Sequence, residues 1–541
     1  MLDEPSTTFK QLATPAKPRH PVMIRLHPEQ ALMTSFRKRS VVLFVLLSSF
    51  VFSQAKPAPA AASGEARTDR YMQSIRGNIP LLTEFLQEMP KGGDLHYHLS
   101  GGVYAETMIG WAAEGKLCVT TQTLELVKPP CNEGAGNVPA ESALSNPVLY
   151  RQMVDAWSMR NWQEGHESGH DHFFDTFEKF GLSNDGHTGD MLAEAARRAA
   201  ANHELYQELM LTADGGRVSE VGKHVGWIED FKTMRETLLA NGLLDAVATG
   251  SKNIAEAEQQ RDAALQCTGA KPEPACKITQ RFIYQVLRGL SKQVVFAQIL
   301  AGFEMASRDP HVVGFNLVMP EDYYVPMRDY DLHMRIIDFL KPLYPKVHIS
   351  LHAGELAPGL VPPDGLSFHI REAVELGHAD RIGHGVDVME EDNALDLVKE
   401  MAKRKVMVEI NLTSNDVILG IRGKDHPLAT YMKYGVPVAL STDDEGVSRS
   451  DLSMEYMRGA TDQGLTYAQL KTMARTSLEH AFVSGESLWR DEHFARVKQC
   501  AADRVAPEKL SEGCQSYLRA NQKAMLQWEL EKQFGAFESR W

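Results

Sequence analysis

The chain has 541 residues, of which 43% are hydrophobic and 24% are charged. This is the composition of a globular protein, and it excludes a disordered, collagenous or miniature disulfide-rich chain. The formal net charge of −14 argues against nucleic acid or an anionic membrane surface as the main partner, because such partners are bound through an excess of Lys and Arg. We therefore expect a small-molecule partner. The sequence does not indicate an oligomeric state.

The amino-terminal segment has the three parts of a secretory signal peptide. A basic cluster at 37–39 precedes an apolar run at 41–52, and small residues follow as far as Ala55. The run is shorter than the ~20 residues that a bilayer core requires. We predict that residues 1–55 are a signal peptide, with Met33 as an alternative start and an uncleaved anchor or a buried helix as the alternative structure. The mature protein is then exported to the periplasm or secreted, with no membrane segment.

All six cysteines follow the predicted cleavage site. An exported protein permits disulfides, and six cysteines allow 15 pairings. Short separations at three places favour pairing between neighbours, with buried free thiols as the alternative. The predicted pairs are Cys118 with Cys131, Cys267 with Cys276, and Cys500 with Cys514.

Residues 56–67 are rich in Ala, Pro and Ser and are predicted to be a linker. From Thr68 onward, eight short apolar segments alternate with longer helix-compatible stretches, which predicts a (β/α)8 barrel over 68–490. The alternative, an open doubly wound sheet, would bring a G-x-G-x-x-G turn, and the sequence has none. The predicted strands are 93–99, 204–210, 281–287, 312–318, 348–352, 381–384, 406–411 and 436–440.

Three segments are longer than the barrel needs. About 100 residues separate the first two predicted strands, and we predict that they form a lid over one barrel end. A second long stretch, 211–279, contains helix-compatible runs. Residues 491–541 are predicted to be a C-terminal helical extension.

Barrel enzymes build their sites at the carboxyl ends of the strands, and four of these ends carry metal-type or acid–base side chains. They are Asp94-Leu95-His96-Tyr97-His98, His352-Ala353-Gly354-Glu355, Arg381-Ile382-Gly383-His384-Gly385 and Ser441-Thr442-Asp443-Asp444. Alternation along a strand points His96 and His98 to the same side. Three imidazoles with one carboxylate suit Zn²⁺, and a water held by such an ion ionises near neutral pH. The set predicts a hydrolase.

These four segments resemble the four motifs of the adenosine deaminase family, in the same order, within a region from about Met89 to Phe482. The leader and the Asn-rich turn at 409–415 resemble its exported bacterial and growth-factor-like branches. The resemblance implies zinc-dependent hydrolytic deamination of adenosine or 2′-deoxyadenosine, giving the inosine product and ammonia. The alternatives are a related amidohydrolase acting on adenine, a thio-nucleoside or a nucleotide, and an extracellular binding or signalling module with little turnover.

The resemblance also implies the roles of individual residues. One zinc ion would be bound by His96, His98, His352 and Asp443. His384 would orient or deprotonate the attacking water, and Glu355 would protonate purine N1. Substrate contacts are implied for Asp444, Ser100, Met319 and Gly354. Two of these depart from the family pattern, which usually has Asp at the position of Ser100 and Gly at that of Met319; the departures concern the sugar pocket and the choice of nucleoside.

Two patterns in the predicted lid allow alternative interpretations. A row of Phe residues forms either an apolar wall of the site or the core of a helix; it consists of Phe173, Phe174, Phe177 and Phe180. The segment from His166 to His170 matches the H-E-x-x-H zinc-protease motif, which must lie on one helix. Gly165 and Gly169 each cost a helix roughly 1 kcal/mol relative to Ala, so we favour a His-rich lid loop.

Overall fold

The computed structural model describes residues 63–505 and 510–541. The predicted signal peptide and most of the predicted linker lie outside the described residues. The end of that linker differs from the prediction, because a helix begins at Gly64, ahead of the expected boundary at Thr68. The hydroxyl of Ser63 accepts a hydrogen bond from the backbone N–H of Ala66 and so caps this helix.

Eight parallel strands form the barrel, and neighbours in the sheet are neighbours in the chain. The sheet closes where the backbone of His98 donates to the carbonyl of Asp443 at 3.1 Å and Asp443 donates to His96 at 2.8 Å. The predicted (β/α)8 barrel is confirmed, and no strand end differs from its predicted position by more than two residues. The strands are Gly92–His98, Glu204–Leu211, Thr279–Leu287, Val312–Val318, His348–Ala353, Arg381–His384, Met407–Ile410 and Val438–Leu440.

Helices cover the outside of the barrel, so the strands are buried on both faces and read as near-continuous apolar runs. Helix Lys292–Arg308 is itself covered by the second long insertion, which explains why its sequence is apolar on almost every side. The helices of that insertion are Arg217–Val225, Phe231–Ala240 and Leu243–Ala264. The other helices between strands are Tyr324–Leu340, His369–Glu375, Ala394–Arg404, Leu412–Leu419 and Leu428–Tyr434.

The first insertion is more structured than the sequence predicts. Its helices are Ala105–Glu114, Pro147–Ala156, Gly169–Phe180 and Thr188–Ala201. It also holds a three-stranded antiparallel sheet made of Cys118–Thr120, Leu126–Val127 and Asn137–Pro139. Strands of two or three residues are too short to give an alternating pattern, which is why the sequence did not reveal this sheet.

Further helices flank the barrel at both ends of the described chain. Gly64–Ile75 and Ile79–Glu88 precede the first strand, and Glu445–Ser448, Leu452–Thr461 and Tyr467–His480 follow the eighth. The predicted C-terminal extension contains Glu512–Ala520 and Gln522–Glu538. Arg475 holds the last of these helices to the barrel by a two-pronged ion pair with Glu531.

The three predicted disulfides are confirmed, and they leave no cysteine of the chain free. They join Cys118 to Cys131, Cys267 to Cys276, and Cys500 to Cys514. Across residues 63–505 and 510–541, no helix has both the length and the apolar character needed to cross a bilayer.

Candidate active site

The carboxyl ends of strands one, five and eight bring the four predicted metal ligands together. Their ligand atoms all lie within 4.8 Å of one another, and the four side chains are buried. Nε2 of His98 lies 3.2 Å from Nε2 of His352. The carboxylate oxygen Oδ1 of Asp443 lies 3.4 Å from Nε2 of His98 and 3.5 Å from Nε2 of His96. Such a group can hold a cation.

Hydrogen bonds on the far side of the rings leave ligand atoms facing the centre of this cluster. Nδ1 of His96 bonds to Glu409 at 2.6 Å, while its Nε2 is buried and has no hydrogen-bond partner among the described residues. Nδ1 of His352 donates to the side-chain oxygen of Asn316 at 2.9 Å, so its Nε2 carries a lone pair. Partners of this kind orient metal-binding imidazoles. The donor set of three nitrogens and one carboxylate fits Zn²⁺.

The electrostatics of the cluster also suit a cation. Burial lowers the pKa of His98 to about 4 and that of His352 well below its usual range, so both rings are neutral and able to donate lone pairs. Burial alone would lower the pKa of His96 as well, but the neighbouring carboxylates of Asp443 and Glu409 raise it to about 10. A cation at Nε2 of His96 would take the place of that proton.

The backbone at the site is held in conformations that L-residues rarely adopt. His384 has φ = 69°, Asp443 has φ = 63° and Met319 has φ = 88°, each in the left-handed region. Strain of this kind persists only where the surrounding structure fixes it, and it is concentrated at functional sites. Gly383 serves a different purpose: a Cβ there would lie 2.6 Å from Cε1 of His96, so only Gly allows the ring to approach this strand.

Glu355 and His384 lie beside the cluster. Nε2 of His384 is 3.7 Å from Oε1 of Glu355 and 4.0 Å from Oδ2 of Asp443. Burial, reinforced by the negative charges of Asp443 and Glu321, raises the pKa of Glu355 to about 8. Its carboxyl group is therefore protonated at neutral pH and able to donate a proton.

Glu321 holds the backbone that carries Glu355. Its carboxylate accepts hydrogen bonds from the amides of Gly354 at 3.2 Å and Glu355 at 2.8 Å. Burial would raise the pKa of Glu321, but the neighbouring His369 and Arg288 lower it to about 2, so it stays ionised. The amide of Gly354 is thus occupied within the protein. Gly354 has φ = 74° and therefore suits this turn, and its predicted substrate contact stays a prediction.

A cavity of about 330 Å³ opens above these groups. Polar groups on its wall include Glu355, Asp443 and the predicted substrate contacts Ser100 and Asp444. The rest of the wall is largely apolar and comes from both the lid and the barrel. It includes Phe173, Phe174, Phe177, Leu287, Val318, Met319 and Tyr323.

The two interpretations of the Phe row each hold for part of it. Phe173, Phe174 and Phe177 line the cavity, and the first insertion therefore covers the site as predicted. Phe180 is buried and packs at 6.5 Å from the ring of Trp157, inside the core of the lid. A helix turns by 100° per residue, so one row of aromatic side chains divides between two faces.

Met319 keeps the backbone conformation that glycine would adopt at this position. Its φ of 88° lies in the left-handed region. The side chain extends toward Gly289, where an added Cβ would lie 2.7 Å from Cε of Met319. The absence of a side chain at Gly289 therefore provides the space that Met319 needs, and Met319 remains on the wall of the cavity.

The H-E-x-x-H segment does not form a metal site. The helix begins at Gly169, after His166, so the two histidines do not share a helical face. His170 instead bonds through Nε2 to Asp322, at 2.9 Å, and through Nδ1 to Asp171, also at 2.9 Å. Because Asp322 follows the fourth barrel strand, His170 fastens the lid helix to the rim of the cavity.

The contact of His170 with Asp322 and Asp171 should make the free energy of unfolding depend on pH. Burial alone would lower the pKa of His170, but Asp322 and Asp171 raise it from 6.5 to about 9. A raised pKa in the folded state stabilises the protein fully below pH 6.5, and the effect disappears as the pH rises through about 9. We expect His170→Gln to lower the free energy of unfolding by about 2 kcal/mol at low pH and by much less at high pH. Denaturant unfolding of both proteins below pH 6.5 and above pH 9 measures this; an equal difference at both would contradict it.

Sequence reasoning missed several residues that support the site. Glu409 and Asn316 orient two of the imidazoles, and Ser414 donates to Oδ2 of Asp443 at 2.6 Å. For Glu409 a signal was present: it is a carboxylate within a short strand that is otherwise apolar and wholly buried. A buried charge in such a strand needs a partner, although the sequence cannot identify that partner.

The structure combines a closed barrel of eight parallel strands with a buried histidine–carboxylate cluster at the carboxyl ends of those strands. The adenosine deaminase family model matches residues 243–490. That region contains three of the four motifs, and the barrel brings the fourth, at His96 and His98, into the same cluster. Over residues 243–490 the chain is similar to the adenosine deaminase family.

Curated relatives match part of the chain. An adenosine deaminase of Yersinia pseudotuberculosis is 33% identical over 162 residues, which is 30% of this chain and 42% of that protein. An adenosine deaminase of Salmonella dublin is 38% identical over 138 residues, or 25% of this chain and 38% of that protein. The chain thus spans less than half the length of the curated relatives it matches. A solved structure of the N6-methyl-AMP deaminase from Arabidopsis thaliana has a TM-score of 0.47 and 19% identity, covering 74% of this chain and 94% of that one.

Proposed function

We propose that the protein is a zinc-dependent deaminase that converts adenosine or 2′-deoxyadenosine, with water, to inosine or 2′-deoxyinosine and ammonia. The observation that carries this proposal is that Glu355 and His384 lie beside the cluster of four candidate metal ligands. Glu355 also lines a largely apolar cavity. The match of the adenosine deaminase family model to residues 243–490 supports it. All the proposed ligands and both reacting side chains are present, which argues against a binding module without turnover.

Different side chains would carry out different parts of the reaction. Zn²⁺ held by the four ligands would supply a water that ionises near neutral pH. Glu355, protonated at neutral pH, would give its proton to purine N1 while the water oxygen adds to C6. His384 would hold the attacking oxygen in place. The C6–N bond would then break. One proton of the water would pass to the amino group, which leaves as ammonia, and the other would restore the carboxyl group of Glu355.

The cavity favours an uncharged purine. None of the described residues that line it is Lys or Arg, whereas four are carboxylates, including Glu178 near the lid. A phosphate group would find no Lys or Arg side chain on this wall to pair with. The three lid phenylalanines offer the apolar faces that a purine base packs against. Ser100 and Asp444 lie on the same wall and can bond to polar atoms of the substrate. Adenine, a thio-nucleoside and a nucleotide are the alternative substrates.

Turnover measured with and without metal tests the proposal. We expect the purified chain to consume adenosine, to lose activity after chelation and to regain it with added Zn²⁺. Adenine and AMP, assayed in parallel, should react at least 10-fold more slowly in kcat/KM, which corresponds to about 1.4 kcal/mol. Faster turnover of AMP would show that the preferred substrate is a nucleotide and not a nucleoside. Activity that survives complete chelation would contradict the role of zinc.

We also propose that the protein is exported, to the periplasm or beyond the cell. Three disulfides in one chain support this, because such bonds persist in oxidising compartments. The signal-peptide pattern at 1–55 supports it independently. Amino-terminal sequencing of the mature protein from its host would show cleavage after Ala55 if both inferences hold.

A further inference from the structure

A chain of buried hydrogen bonds leads from a helix terminus to His384. The backbone N–H of Leu428 donates to Nδ1 of His426 at 3.1 Å. Nε2 of His426 lies 3.0 Å from the side-chain oxygen of Asn415, and the amide nitrogen of Asn415 lies 2.9 Å from Nδ1 of His384. Each of the three side chains is at most 2% exposed, so water does not compete for these bonds.

The backbone N–H of Leu428 determines the donor and the acceptor in every hydrogen bond of this series. A backbone N–H can only donate, so Nδ1 of His426 must accept. Burial, together with the charge of Arg458, lowers the pKa of His426 to about 4, and the ring is neutral. A neutral imidazole with an accepting Nδ1 carries its proton on Nε2, which therefore donates to the oxygen of Asn415. The amide group of Asn415 must then donate to Nδ1 of His384.

These hydrogen bonds determine which nitrogen of His384 carries the proton. Because Nδ1 of His384 accepts a hydrogen bond, a neutral His384 carries its proton on Nε2. This nitrogen is buried, has no hydrogen-bond partner among the described residues, and lies 3.7 Å from Glu355 and 4.0 Å from Asp443. Its N–H therefore faces Glu355 and Asp443, at the edge of the cluster of candidate metal ligands. Asn411 also faces Nδ1 of His384, but at the longer distance of 3.4 Å.

We infer that Asn415 and His426 are positioning residues that fix His384 in the Nε2–H tautomer, so that it donates a hydrogen bond to the attacking water instead of removing its proton. The inference rests on the proposed function for its catalytic meaning. The tautomer itself is a property of the folded protein. His426 also accepts a hydrogen bond from the first backbone N–H of the helix that begins at Leu428, so its test must separate the effect on the tautomer from an effect on stability.

Two variants make that separation. Asn415→Asp is nearly isosteric and replaces the donor that faces His384 with an acceptor, so His384 should carry its proton on Nδ1. His426→Asn keeps an acceptor near the position of Nδ1, and thus the hydrogen bond from Leu428, but removes the Nε2 donor, which frees the amide of Asn415 to rotate. His333→Asn is the control, because His333 is equally buried and its ring nitrogens have no hydrogen-bond partner among the described residues.

Nitrogen-15 NMR of the zinc-loaded, histidine-labelled protein distinguishes a protonated ring nitrogen from an unprotonated one, and His384→Gln identifies the signals. We expect Nε2–H in the wild type and in His333→Asn, Nδ1–H in Asn415→Asp, and both tautomers in His426→Asn. With adenosine, kcat should fall about 10- to 100-fold in Asn415→Asp, the range seen for outer partners of metal sites, while zinc content and KM stay within a few-fold.

Three results would overturn the inference: Nδ1–H in the wild type, an unchanged tautomer in Asn415→Asp, or a reversed tautomer with unchanged kcat. If the wild type does not deaminate adenosine, the proposed function fails while the NMR result still decides the tautomer. The two failures are therefore distinguishable.

Discussion

Replacing Glu355 with Gln is expected to lower kcat for adenosine by about 100- to 10,000-fold, the range for losing a general acid. Gln matches Glu in size and keeps an N–H donor, but it cannot release a proton to N1. The backbone bond from residue 355 to Glu321 remains, so the local structure should persist. The measurement is steady-state turnover together with the zinc content of the purified protein.

Zinc should stay bound in Glu355→Gln, because Glu355 is not among the four clustered ligands. Glu390→Gln is the matched control: the same change at an exposed site should leave both turnover and zinc content unaltered. Normal turnover in Glu355→Gln would show that Glu355 is not the general acid. Loss of zinc from that variant would make Glu355 a ligand instead.

Replacing Arg381 with Met is expected to lower the free energy of unfolding by about 3–5 kcal/mol. Arg381 is wholly buried inside the barrel, where its guanidinium bonds to Glu409 at 2.6 Å and to Glu208 at 2.5 Å. It also donates to the carbonyl of His480 at 3.0 Å. Removing the cation leaves two buried carboxylates without their partner, which is costly even though the methionine fills much of the space.

The same substitution should weaken zinc binding about 10- to 100-fold, because Glu409 then loses the partner that fixes it against His96. Denaturant unfolding and metal titration measure the two effects. Adding Glu208→Gln to Arg381→Met should recover part of the stability by removing one of the unpaired charges. Arg335→Met, which breaks an exposed pair with Asp331, should cost less than about 1 kcal/mol. Equal losses in the buried and exposed variants would contradict the argument.

The barrel was predictable because its signals are local. Each strand is a short apolar run between longer helix-compatible stretches, and parallel connections require that alternation. Once the strands are placed, their carboxyl ends must meet at one end of the barrel. His96, His352 and Asp443 could therefore be predicted to converge although they lie far apart in the chain. The disulfides were predictable for a similar reason, since each joins neighbouring cysteines.

The lid depends on contacts that no local pattern reveals. The Phe row predicts a helix, but only the packed structure decides that Phe177 faces the cavity while Phe180 faces Trp157. The small antiparallel sheet is held partly by the disulfide at Cys118 and has strands too short to be recognised. The role of His170 likewise depends on the position of Asp322, which is distant in sequence.

The sequence by itself determined the fold and the convergence of the candidate ligands at one barrel end, because these follow from residue type and strand order. The role of Glu355 as the acid was implied by the family resemblance and stays a prediction. Only the tertiary structure decided which groups orient these side chains. Glu321 behind Glu355, and Asn415 behind His384, act through hydrogen bonds whose partners lie on other elements. Hydrogen bonds are short and directional, so they depend on angstrom-scale placement that composition and periodicity do not encode.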